Sequence, residues 1–200
     1  MKTTMKWTTV CLALALPGEL QAADLPFSAF FGTFSGGGVA ENEDSAYFAL
    51  TARDMDVVIR PDGAGFKVTW TSVIRPGGNS SKPRIKRKTT TRAFAPTDRA
   101  GIFRADSSAD PISGKEMCWA HIEGQSLIVY QMVIGGDGAY QLQRYARTLS
   151  GLGMQLTFTR IRDGERIRTV KGRLIKSANY VMDSLKRNQI LIAASFIMAR

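Results

Sequence analysis

The sequence has few of the residues that most often build metal and redox sites. It contains two cysteines and one histidine, His121, among 200 residues. It has no Cys-x-x-Cys, no His-x-x-x-His and no run of spaced carboxylates, so we expect no zinc or calcium site and no cofactor. Cys118 and His121 are three residues apart, which places them on opposite faces of a strand. This spacing argues against a Cys–His catalytic pair, and we expect a protein that is not an enzyme.

Long hydrophobic runs are also missing. The apolar run at Trp7–Leu16 has ten residues, whereas a membrane-spanning helix needs about 20. Lys2 and Lys6 precede this run, Pro17 and Gly18 end it, and the segment up to Ala22 resembles a cleavage site. Residues 1–22 are therefore predicted to be a signal peptide, with export to a periplasm or the cell exterior. An uncleaved N-terminal anchor is the alternative.

Cleavage after Ala22 removes Cys11 and leaves Cys118 as the single cysteine. No intrachain disulfide could then form, so packing must stabilise the fold.

Acidic side chains are scarce, and the formal net charge is +10. Residues 82–92 hold six basic and no acidic side chains. Such an excess favours an anionic partner, and for an exported protein a membrane surface or glycolipid fits better than nucleic acid. The residues predicted to bind this surface are Arg84, Lys86, Arg87, Lys88 and Arg92. A positively charged edge strand with no partner is the simpler explanation.

The abundant feature is period-2 alternation interrupted by glycine-rich turns, clearest over Ser126–Ile175. This pattern indicates an antiparallel β meander. Strands are predicted at about 29–40, 45–60, 66–74, 83–94, 102–104, 117–123, 127–134, 139–149, 154–162 and 165–175. Three glycines at 36–38 predict a bend or bulge in the first of these.

The fold class is therefore all-β: an antiparallel up-and-down barrel of about 8–10 strands over residues 23–176. Ser177 is a plausible N-cap for a C-terminal helix over 177–200. That helix is expected to pack on the barrel wall, with a position on a membrane surface as the alternative.

Alternation also divides the strands into an inner and an outer face. The side chains predicted to point inward from three strands are Met55, Val57, Ile59, Phe66, Val68, Trp70, Met154, Leu156 and Phe158. Those predicted to point outward are Lys67, Thr69, Thr71, Gln155 and Thr157. The residues predicted to contact a ligand in the interior are Met55, Val57, Phe66, Val68, Trp70, Trp119, Tyr140, Leu156 and Phe158. Sequence does not decide between a ligand cavity and a dry core.

An exported meander with a terminal helix resembles the calycins, and among them the lipocalins. The segment Phe31-Gly32-Thr33-Phe34 is similar to the lipocalin Gly-x-Trp motif, with phenylalanine in place of tryptophan. The resemblance implies a barrel of eight or slightly more strands, open at one end to a small apolar ligand. It also implies an arginine from the last strand over that aromatic ring, for which Arg173 is the nearest candidate.

The function expected from these features is non-enzymatic binding of a lipid or another small apolar molecule. The alternative is an envelope adaptor with a dry core, which docks on an anionic partner through its basic surface. An enzyme with its site in the barrel mouth is a third possibility.

Overall fold

A computed structural model describes residues 23–42, 51–74, 86–105 and 109–177. These residues form a closed barrel of ten antiparallel strands. The strands are β1 (Gly32–Asn42), β2 (Thr51–Asp62), β3 (Gly65–Ile74), β4 (Lys86–Pro96), β5 (Ile102–Arg104), β6 (Met117–Glu123), β7 (Ser126–Ile134), β8 (Tyr140–Ser150), β9 (Gly153–Arg162) and β10 (Glu165–Lys176). Each strand pairs with its neighbours in sequence, and β1 pairs with β10 to close the barrel.

One end of the barrel is closed by aromatic packing. A short 3₁₀ helix at Phe27–Phe30 precedes β1 and buries Phe30. The Phe27 ring lies 5.8 Å from that of Phe66 and 5.5 Å from that of Phe103. The segment is anchored by Asp24, whose carboxylate accepts a hydrogen bond of 2.6 Å from the Gly124 N–H. We name this the closed end.

The glycines of β1 permit close approach between strands. A Cβ on Gly36 would lie 2.1 Å from the carbonyl oxygen of Arg173, and one on Gly38 would lie 2.3 Å from that of Lys171. Contacts this short are not possible, so a larger residue at either position would require the two strands to move apart. The Met55 side chain lies over the space that the absent Gly38 side chain leaves.

The structure confirms the predicted antiparallel up-and-down barrel and gives it ten strands, at the upper end of the predicted 8–10. Two details differ from the prediction. Residues 27–30 form the 3₁₀ helix rather than the start of a strand, because their phenylalanines turn inward over the closed end. The register of β1 with both neighbouring strands is continuous through its glycines, so of the predicted bend or bulge the bulge is absent from β1. A register shift occurs instead in the β9–β10 pair, between Arg166 and Arg168.

Two predictions lie outside the described residues: the signal peptide at 1–22 and nearly all of the helix predicted at 177–200. Within the described ranges, no helix has the length and apolar character needed to cross a membrane.

Candidate functional site

The half of the barrel away from the closed end contains a cavity of about 430 Å³. We name it the open-end cavity. Its apolar lining comes from strands β2, β3, β8, β9 and β10: Met55, Val57, Trp70, Tyr145, Leu156, Phe158 and Val170. Its polar lining includes Arg53, Lys88, Arg92, Glu116, Gln131, Gln143, Arg160 and Arg168. The cavity therefore has apolar and cationic surfaces side by side.

Three aromatic rings lie together on the lining of the cavity. The Tyr145 ring is 5.3 Å from that of Trp70 and 4.8 Å from that of Phe158. The Tyr145 hydroxyl donates a hydrogen bond of 3.0 Å to Oε1 of Gln143. Burial raises the pKa of Tyr145, so the phenol stays neutral at physiological pH. The three rings offer a rigid apolar surface.

Arg147 lies against the same aromatic layer and is fully buried. Its guanidinium carbon is 5.2 Å from the centroid of the Trp70 ring and 5.4 Å from that of Tyr145. No described residue accepts a hydrogen bond from any of its three side-chain nitrogens. Burial lowers the pKa of Arg147 to about 10, so the group remains charged at neutral pH.

A second group of cations lines the cavity from β2, β9 and β10. Arg160 and Arg168 are directly opposite each other across the β9–β10 pair. The pKa of Arg53 is lowered by burial and then by the charges of Arg168 and Arg160. The pKa of Arg168 is lowered by burial and by Arg160. In each of the three, the described residues offer no hydrogen-bond partner to the buried Nε atom.

Arg92 has an acidic partner, whereas the described residues offer none to Arg53, Arg160 or Arg168. Its guanidinium forms an ion pair with Glu116 on the same cavity wall. This charge-assisted hydrogen bond is the main reason that the pKa of Arg92 is raised. Most of the charge on this pair is therefore compensated within the protein.

Cys118 is buried next to this pair and projects into the barrel. Burial is the largest cause of its raised pKa, about 11, and so the thiol is protonated at neutral pH. His121 lies on the outer face, where its ring stacks on Tyr130 at 5.7 Å. The predicted separation of Cys118 from His121 on opposite faces is confirmed. Among the described residues, no group of three or more His, Cys, Asp and Glu side chains could hold a metal ion.

The nine side chains predicted to point inward all lie in the core or pack against it. Five of them line the open-end cavity: Met55, Val57, Trp70, Leu156 and Phe158. Phe66 and Val68 instead fill the tightly packed core toward the closed end, where Phe66 stacks on Phe94 at 5.2 Å. These two residues do not reach the cavity.

Two predicted interior residues are on the outer face. Trp119 alternates with the buried Cys118 and Ala120, and its ring stacks on that of Tyr130 at 4.9 Å. Tyr140 is exposed at the start of β8. Both predictions were based on aromatic character and did not assign the residue to a face of its strand. The positions of the two residues on β6 and β8 show that the predictions are wrong.

The described basic residues of the run at 82–92 lie on two different surfaces, the cavity lining and the outside of the barrel. Lys88 and Arg92 line the open-end cavity, whereas Lys86 and Arg87 are exposed outside its lining. Arg84 lies outside the described residues. Binding of this run to an anionic surface stays a prediction, and the strand contributes cations to the interior as well.

The cation expected over the motif aromatic is a different residue. Lys176 is directly opposite Phe34 across the β1–β10 pair, with Nζ 5.6 Å from the ring centroid. Arg173 is opposite Gly37 and exposed, because it belongs to the outer face of β10. The prediction of Arg173 in this role is therefore wrong.

Comparisons with known proteins give no family. No family model matches the sequence, and no curated protein matches it. Among solved structures, the S-type phycobiliprotein lyase CPES from Guillardia theta is similar over 76% of this chain and 90% of that chain. The identity is 9% and the TM-score is 0.35, values too low to bear on function.

Proposed function

We propose that this chain is an exported, non-enzymatic binding protein that holds a small amphipathic molecule in the open-end cavity. The observation that carries the proposal is the cavity itself, about 430 Å³ inside a closed barrel. Ligand pockets in proteins are commonly about 300–1,000 Å³ and combine an apolar lining with a few polar groups.

The contrast between the two halves of the barrel supports binding over a purely structural role. The closed end is filled by phenylalanines, with rings of Phe66 and Phe103 only 4.9 Å apart. The other half retains space next to Trp70, Tyr145 and Phe158 although further large side chains could have filled it. A dry core would be expected to close both halves in the same way.

Export is the part of the proposal that comes from residues 1–22. Their basic start, short apolar run and small-residue end are typical of a signal peptide. An exported barrel of this kind would meet its ligand in a periplasm or outside the cell.

The first experiment asks whether a small molecule accompanies the protein. Native mass spectrometry of protein purified from the envelope of the cell that makes it should show one added mass, which denaturation releases. Protein that consistently has the mass of the polypeptide alone, and that binds no octyl-chain probe in calorimetry, would contradict the proposal.

A pair of variants tests whether the ligand lies in the open-end cavity. Thr90 lines the cavity on β4, opposite Trp70, so Thr90→Phe should fill space and reduce retention of the small molecule. Thr157→Phe is the control, since Thr157 lies on the outer side of β9 between the inward residues Leu156 and Phe158. Equal retention in both variants would place the ligand elsewhere.

A further inference from the structure

The three arginines on β2, β9 and β10 form a cationic cluster for which the described residues supply no acidic partner. Arg53 is near enough to Arg160 and Arg168 for their charges to lower its pKa. All three line the open-end cavity, and their Nε atoms are buried without a hydrogen-bond partner among the described residues. Like charges held together in a partly dry site are costly unless an anion joins them.

Closure of the barrel brings these side chains to one site. Arg160 and Arg168 are directly opposite each other across β9 and β10. Arg53 is on β2, with β1 between β2 and β10. Across β1, Arg53 is opposite Gly38 and Arg168 is opposite Asn42. The cluster therefore joins residues from three strands that are far apart in the sequence.

The described acidic residues of the cavity lining do not neutralise the cluster. Within the described ranges, the acidic residues that line the cavity are Asp56 and Glu116. Glu116 is paired with Arg92. Asp56 is an odd number of residues from Arg53 along β2, so its side chain belongs to the other face of the strand.

The surroundings of the cluster indicate which chemistry an anion would need. A guanidinium group matches carboxylate and phosphate oxygens with paired hydrogen bonds. The guanidinium carbon of Arg160 lies 6.0 Å from the centroid of Phe158, whose ring packs on Tyr145. A ligand bound to the arginines would therefore have the aromatic surface beside it.

We propose that the ligand is an acidic amphiphile whose carboxylate or phosphate binds Arg53, Arg160 and Arg168 while its apolar body lies on Trp70, Tyr145 and Phe158. This inference rests on the proposed function and adds the charge of the ligand. It replaces the expectation of a purely apolar ligand with that of a molecule carrying at least one acidic group.

The test compares three probes that share an eight-carbon chain: octanoate, octyl phosphate and octanol. Isothermal titration calorimetry with the folded protein at pH 7 should show binding of at least one acid about tenfold tighter than that of octanol, the effect of a charged hydrogen bond. The stronger of the two acids identifies the head group.

Variants then test whether the arginine cluster causes the tighter binding of the acid. In Arg160→Gln/Arg168→Gln, affinity for the acid should fall about tenfold while octanol binding changes less than about twofold. Arg173→Gln, on the outer face of β10, is the control and should preserve both affinities. Circular dichroism establishes that each variant is folded, and the comparison of probes on the unaltered protein does not depend on the variants.

The outcomes separate this inference from the proposed function. Equal affinity for octanol and both acids would overturn the inference and leave a binding barrel for apolar molecules. Preference for an acid that survives in the Arg160→Gln/Arg168→Gln variant would overturn the assignment to the cluster. Failure of all three probes, together with no co-purifying molecule, would overturn the proposed function itself.

Discussion

Arg147 lies with its guanidinium carbon 5.2 Å from the centroid of the Trp70 ring, enclosed in a barrel that offers its nitrogens no acceptor among the described residues. A full positive charge thus occupies the centre of the core, next to the aromatic wall of the open-end cavity. Cation–π contacts with Trp70 and Tyr145 offset only part of the lost hydration, since each contributes about 0.5–2 kcal/mol against a desolvation cost of several kcal/mol.

The first prediction concerns this charge. Arg147→Met keeps a long, flexible side chain and removes the buried cation. We expect stability to be unchanged or raised by about 1–4 kcal/mol, because apolar replacement of buried ionic groups often has this effect. Urea denaturation measures it. Arg173→Met, at an exposed position, is the control and should change stability by less than about 0.5 kcal/mol. A large loss of stability in Arg147→Met would mean that the charge is compensated in the folded protein.

The second prediction separates the two halves of the barrel. Phe66 is fully buried between the rings of Phe27, Phe94 and Phe103, so Phe66→Ala should cost about 3–5 kcal/mol. Phe158 is only partly buried and faces the cavity, so Phe158→Ala should cost distinctly less and weaken retention of the ligand. Denaturant midpoints of the two variants provide the comparison. Equal costs would indicate that the cavity is in fact close-packed.

The third prediction concerns the glycines of β1. Gly36→Ala would place a Cβ 2.1 Å from the Arg173 carbonyl oxygen, which forces β1 and β10 apart. We expect a loss of about 1–3 kcal/mol or more, as for other overpacked sites. Gly136→Ala is the matched control, because a Cβ there meets nothing within 4 Å. Thermal unfolding monitored by circular dichroism should give a lower midpoint for Gly36→Ala than for Gly136→Ala. Similar midpoints would argue against the close β1–β10 contact.

The fourth prediction concerns the Cys118 thiol. Burial raises its pKa from the ordinary 9.0 to about 11, so the folded protein should react slowly with iodoacetamide at pH 8 and quickly in urea. The stability gained from holding the thiol neutral is complete below about pH 9 and is lost as the pH rises toward 11. The experiment uses protein with Cys11→Ser, and Cys118→Ser in that background as the unreactive control. Rapid labelling of folded protein would contradict the buried position.

Much of the barrel could be predicted because apolar and polar residues alternate along antiparallel strands that have one face in the core. Met55, Val57 and Ile59 alternate with polar neighbours, and the inner face of β2 follows from that pattern. The prediction for Trp119 was wrong for a physical reason: an aromatic ring can pack in the core or stack on a neighbour such as Tyr130 on the outer face. Only the neighbouring Cys118 and Ala120 show which face is inner.

The arginine cluster was missed although the signal was present. Arg53 is two residues before Met55, and Arg160 is two after Phe158, so one further step of each inward pattern reaches them. Arg168 stands in the same relation to Val170. Charged residues are normally excluded from protein interiors, so alternation predicts that each inward pattern ends before its arginine. That rule does not hold where the interior contains a cavity. The convergence of three strands on one site depends on closure of the barrel, which alternation does not reveal.

The pairing of β1 with β10 has a consequence for how the chain folds. Phe34 meets Lys176, so the two strands that complete the ring come from opposite ends of the described chain. Such distant contacts slow folding, and closure must wait until β10 has been synthesised. Until then β1 and the last strand formed both expose unpaired edges, which invite association with other chains. Nascent protein arrested before β10 should therefore be the species most in need of a chaperone.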